Sequence, residues 1–131
     1  MSFNWQTIFA IGCGGFLGAV VRAYAIHIVN KHIPLEFPLG VLAVNVVGSF
    51  IMGIIFAIFA HFTLSEHLKV FLTTGFLGAL TTYSTFAIET YFLFETSLVI
   101  AIANIVLNVV GTILAAALGY KLLQFFLVNH Y

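Results

Sequence analysis

The sequence predicts an all-α membrane protein, and three observations carry that expectation. Of 131 residues, 63% are hydrophobic and only 6% charged, whereas soluble domains carry about 25% charged residues. The mean hydropathy is +1.19. The apolar residues form long runs without the period-two alternation of a membrane β-strand. At about 20 residues per crossing there is room for about four helices and none for a soluble catalytic domain. A single transmembrane domain over residues 1–131 is therefore expected, its third helix broken.

The first span is expected over about residues 3–29. No Lys or Arg precedes Arg22, so the basic n-region of a signal peptide is missing and the segment reads as a retained helix. Gly14 and Gly18 stand four apart, followed by Gly15 and Ala19. Such small-residue faces allow helices to approach closely. Arg22 lies toward the end of the span, where its long side chain can reach the interface. Residues 30–37, with Pro34 as a breaker, form the connection.

The second span is expected over about residues 38–62, with Pro38 in its first turn. Asn45 and Ser49 stand at i and i+4, beside Gly40, Gly48 and Gly53. The third is expected over about residues 66–94, with a break between Gly75 and Thr82. That stretch reads Gly-Phe-Leu-Gly-Ala-Leu-Thr-Thr-Tyr-Ser-Thr-Phe. Lipid gives backbone groups no water, so irregular backbone at membrane depth occurs where protein buries it or a polar path runs. The competing reading is a small-residue run for close packing. Tyr83 and Phe86, three apart, share a face after the break. A ring has a positive edge, which can stabilise a small hard anion; the bland reading is a pair of ordinary core or lipid-facing aromatics. Glu89 follows, and a carboxylate within a span is a functional candidate by default. Proton coupling and a structural hydrogen bond both remain open for it.

The fourth span is expected over about residues 96–127. It aligns Asn104, Asn108 and Thr112 on one face and Gly111, Ala115 and Gly119 on a neighbouring one. Buried amides can be interhelical glue. In register they also make a line of neutral donors, able to pass an anion without holding it too tightly.

Other features exclude functions. Cys13 is the sole cysteine, so there is no intrachain disulfide and no multi-thiolate metal site. His27, His32, His61, His67 and His130 lie mostly at the ends of apolar runs, without metal-ligand spacing, and read as interfacial residues. Formal net charge is zero with no basic run, which argues against nucleic acid as a partner. No nucleophile–base pair stands out, so an enzyme is not expected. Arg22 and Lys31 flank one side of the spans, and Lys69 and Lys121 the other. Orientation follows Lys and Arg, so this balance permits either one weakly specified orientation or insertion both ways.

These motifs resemble the Fluc (CrcB-type) fluoride channels over essentially the whole chain. The match lies in the glycine-rich run 14–22 ending in Arg22, in 40–50 around Asn45, in 75–86 ending Thr-Thr-Tyr-Ser-Thr-Phe, and in Asn108 and Thr112 around Gly111. The resemblance implies an antiparallel, dual-topology homodimer in a plasma membrane, that of a bacterium, spanning the lipid bilayer. It implies two pores exporting cytoplasmic fluoride ion passively and selectively. It implies a structural sodium ion (Na+) at the dimer centre, held by the carbonyls of Gly78 and Thr81. The pore aromatics fall on Tyr83 and Phe86, the second-helix pore asparagine on Asn45, and the fourth-helix polar track on Asn108 and Thr112. Tyr83 stands where the family usually has phenylalanine: the phenol keeps the ring edge and adds a hydroxyl. Arg22 and Glu89 are expected in vestibule or structural roles. The alternative is a small proton-coupled multidrug-type transporter using Glu89, although such transporters carry their acid in the first helix and no acid here precedes Glu36. A structural subunit of a larger complex is a further alternative.

Overall fold

The structure is a computed structural model and describes residues 2–130. Helix α1 spans Trp5–His32, later at both ends than the sequence reading. Asn4 sets its start: its side chain accepts from the Thr7 N–H at 2.9 Å, satisfying one of the orphan amides of the first turn. Helix α2 spans Leu39–His61, with Pro38 just outside it as the cap rather than within the first turn.

The expected third span is composite. Helix α3, Glu66–Val70, is capped by Ser65 and runs into a π-helical segment, Phe71–Leu77. Helix α4 is the short turn Gly78–Leu80. Thr81 and Thr82 are then extended, and α5 spans Tyr83–Thr96 under a Thr82 cap. The break thus falls at Thr81–Thr82, the far end of the predicted interval. Gly75 and Gly78 lie in helical backbone and do not interrupt it. Helix α6, Leu98–His130, follows after the single residue Ser97, so the last connection lies two residues beyond the expected Glu95.

Among the described residues, three helices are long and apolar enough to cross a membrane: α1, α2 and α6. The 14-residue α5 is about 21 Å long, short of the roughly 30 Å hydrocarbon core, and needs the preceding segment to complete a crossing. The chain is a multi-pass helical membrane protein.

Glycines decide which helices touch. A Cβ at Gly14 would collide with the Phe71 carbonyl, and one at Gly18 with the Phe76 carbonyl. Gly75 returns the contact: a Cβ there would lie 2.8 Å from the Ile11 carbonyl oxygen. So α1 lies parallel to the π-helical segment, almost backbone to backbone. The close-packing role considered for the 75–78 glycines therefore holds for Gly75. A Cβ at Gly53 would collide with the Ala116 carbonyl and one at Gly119 with the Phe50 carbonyl, so α2 presses against α6; Asn45 meets Asn108 earlier on both helices, so the two run parallel. The other small residues in these stripes do less: a Cβ at Gly111 finds only ordinary contact at 3.8 Å. The two parallel pairs run opposite to each other, since Gly40 on α2 abuts Ile26 and Asn30 near the end of α1.

These contacts yield a prediction. Gly119→Val has no space to relax against main chain, and overpacking of this kind costs about 1–3 kcal/mol. The apparent melting temperature of the detergent-solubilised protein should fall, while Gly12→Ala, where a Cβ meets nothing within 4 Å, should leave it in place. Equal melting of the two variants would refute the packing argument.

Candidate functional site

A cleft of about 310 Å³ opens between α2, the Thr81–Thr82 break, α5 and α6. Asn45, Thr81, Tyr83, Phe86, Asn108 and Thr112 all line it. The break puts them there. Thr82 has β-region backbone, which swings α5 out of line with α4 and turns the first turn of α5 toward α2 and α6. Thr82 then caps α5, its Oγ1 accepting from the Thr85 N–H at 3.3 Å.

Asn45 holds the break. Its Oδ1 accepts from the Thr82 N–H at 2.8 Å, and its Nδ2 donates to the Thr82 carbonyl at 3.0 Å. A primary amide presents a donor and an acceptor side by side, so it can replace the partner that a helix would have given this residue. The second N–H of Asn45 goes to Asn108 Oδ1 at 2.9 Å. Asn108 Nδ2 donates to Asn104 Oδ1 at 2.9 Å, and Asn104 Nδ2 donates to Thr90 Oγ1 at 2.9 Å. Thr90 Oγ1 donates to the Phe86 carbonyl at 2.7 Å. The circuit leaves the third span at Thr82, passes through α2 and α6, and returns at Phe86. Each bond polarises the next in the same sense. Asn45, Asn104, Asn108, Thr82 and Thr90 are all buried, and burial without partners would cost about 1–3 kcal/mol per group.

The sequence stripe of Asn104, Asn108 and Thr112 therefore forms one face, as the spacing requires. Both N–H groups of Asn45 are committed to protein acceptors, and so is the amide nitrogen of Asn108. Thr112 Oγ1 donates to the Asn108 carbonyl. Sequence reasoning missed Thr82 and Thr90. A threonine three residues before Thr85 is a capping signal, but Thr90 carried none, because its partner lies on another helix.

The break also redirects main-chain donors. The Thr82 N–H would ordinarily close a helical bond to the Gly78 carbonyl, but it serves Asn45 instead. The Thr85 N–H would reach the Thr81 carbonyl, but it serves Thr82 Oγ1. The Gly78 and Thr81 carbonyls thus lose their helical donors, and hard cations take such oxygens. Among the described residues, no group of His, Cys, Asp and Glu forms a metal site.

Tyr83 and Phe86 meet nearly perpendicular, with ring centroids 5.3 Å apart and planes at 71°. Phe86 is buried at 5% exposure, whereas Tyr83 is 77% exposed. Arg22 and Glu89 are not brought to this cleft. Arg22 is half-buried on α1. Glu89 lines a separate cavity of about 730 Å³ with Asn30 and Glu36, beside the α1–α2 connection. Its Oε2 is buried without a hydrogen-bond partner.

Residues 9–120 match the family described as CrcB-like protein, Camphor Resistance (CrcB). A protein of Sulfurimonas denitrificans named fluoride-specific ion channel FluC is 54% identical over 123 residues, covering 92% of this chain and 95% of that protein. Proteins with the same name from Nautilia profundicola (42% identity; 90% of this chain, 94% of that protein) and Campylobacter jejuni (45%; 88% and 95%) are also similar. With 112 of 131 positions inside the family match (9 through 120) and a relative more than half identical over nearly its full length, the chain belongs to the CrcB family.

Proposed function

We propose that this chain forms a passive, fluoride-selective channel. The observation that carries the reading is the cleft itself: a break in a membrane span, lined by neutral polar groups and two perpendicular rings, with no charged side chain among its lining residues. An anion in such a path meets hydroxyls and ring edges, which bind without trapping. The relatives' names supply the ion. Tyr83 and Phe86 offer ring edges, and Asn45, Asn108 and Thr112 shape the path and fix its polarity. Thr112 can turn its hydroxyl from the helix carbonyl toward a passing ion.

The reading extends to an antiparallel homodimer in a bacterial plasma membrane. Tyr83 at 77% exposure and Ile113 at 64% leave the cleft open on one side, and a second copy would cover it. The Gly78 and Thr81 carbonyls would hold a sodium ion at that junction, supplying fixed positive charge beside the path. A negative-inside potential then drives fluoride outward, with no nucleotide or covalent step. Glu89 lines a different cavity, so the proton-coupled alternative draws no support from the geometry.

The test is anion efflux from liposomes containing the pure protein, with valinomycin clamping the potential. Fast fluoride release, negligible chloride release and indifference to a pH gradient are expected. A folded protein that releases no fluoride would overturn the proposal; release that follows a proton gradient and stops in Glu89→Gln would favour the transporter instead.

A further inference from the structure

The cleft contains many polar groups but few that can still donate. Both Asn45 N–H groups and the Asn108 amide are spent within the protein. Thr73, Thr81, Thr90 and Thr112 each donate to the carbonyl four residues back, the default for a helical hydroxyl in lipid. Thr82 Oγ1 donates to Thr85 Oγ1. Ser49 differs. It lines the same cleft, half-buried on α2 one turn beyond Asn45, with the Asn45 carbonyl available at the same spacing. Yet it makes none of the hydrogen bonds found among the described residues, so its proton is uncommitted. The cleft's other uncommitted hydroxyl, that of Tyr83, belongs to a side chain turned largely outward.

We propose that Ser49 is the hydroxyl that hydrogen-bonds the permeating anion in the cleft, while Asn45 acts as the clamp on the break. This assignment rests on the fluoride-channel reading and deepens it. A small anion entering the cleft loses water ligands, and each lost ligand needs a donor in its place. An amide already bridging Thr82 and Asn108 can turn to the anion only by breaking the circuit. A serine hydroxyl needs only a χ1 rotation. A hydrogen bond to a charged partner is strong in a dry site, so Ser49 is the cheapest donor the cleft offers. Its freedom also keeps binding weak enough for release, because the hydroxyl can fall back on the Asn45 carbonyl once the ion has passed.

The experiment compares wild type with Ser49→Ala, Ser49→Cys and Ser49→Thr in the fluoride efflux assay, with elution on size exclusion as the check on folding. Alanine and cysteine, lacking a strong donor, should slow fluoride release about tenfold or more, and threonine should restore it. A purely structural serine would not separate threonine from the nearly isosteric cysteine. If wild type conducts and either Ser49→Ala or Ser49→Cys matches it, the assignment is wrong. If alanine misfolds, the cysteine and threonine pair decides alone. If wild type itself releases no fluoride, the channel reading fails and the serine assignment falls with it.

Discussion

Asn45→Leu is expected to destabilise the protein by at least about 3 kcal/mol, because it leaves three buried groups without partners at about 1–3 kcal/mol each. These are the Thr82 N–H, the Thr82 carbonyl and Asn108 Oδ1. Leucine matches asparagine in shape and leaves no large cavity, so the loss is one of polarity. Asn45→Asp tests the same point from the other side. A carboxylate still accepts from the Thr82 N–H but faces the Thr82 carbonyl and Asn108 Oδ1 with lone pairs only, so it should fail as well. The readout is the apparent melting temperature in detergent, together with fluoride release. A leucine variant as stable as wild type would mean that the clamp contributes nothing.

Asn104→Leu should have an effect of the next size, about 1–3 kcal/mol, because the two groups it served each keep one other partner. Asn104 is completely buried, and its loss takes one acceptor from Asn108 Nδ2, which keeps the Asn104 main-chain carbonyl, and the donor from Thr90 Oγ1. The effect should not add to that of Thr90→Val. Once Asn104 is gone, Thr90 still donates to the Phe86 carbonyl but its lone pairs have no donor, so the double variant should be less damaged than the sum of the two. A double-mutant cycle on melting or on denaturant resistance gives the coupling directly, and simple additivity would dissolve the circuit into independent bonds.

How much of this was legible in the sequence follows the range of each interaction. Spans declare themselves by apolar length, and their starts by a side chain a few residues away, as with Asn4 for α1 and Ser65 for α3. The interval holding the break was legible because Thr-Thr-Tyr-Ser-Thr is too polar for lipid. Its position was not. Gly75 and Gly78 drew attention as breakers, but the first serves close packing on α1 and both remain helical. What breaks the helix is Asn45, 37 residues upstream, and no local pattern around Thr82 contains it. The π-helical segment was unreadable for a similar reason: its wider turn goes with the tight approach of Gly14 and Gly18. The Asn–Ser and Asn–Asn–Thr stripes did place the polar faces correctly by period alone. Which of their donors remained free needed the partners in space.

The polar circuit also bears on biosynthesis. Thr82 can meet Asn45 as soon as the third segment enters the membrane, because α2 has already been made. Asn108 and Asn104 belong to α6, which is translated after both. Until α6 has been made as far as Asn108, its eleventh residue, about 0.5–2 s at typical ribosomal speed, the second N–H of Asn45 waits for its acceptor. The nascent chain thus holds this amide half-paired until α6 joins it, and a stop before Asn108 would leave the second N–H of Asn45 without its acceptor.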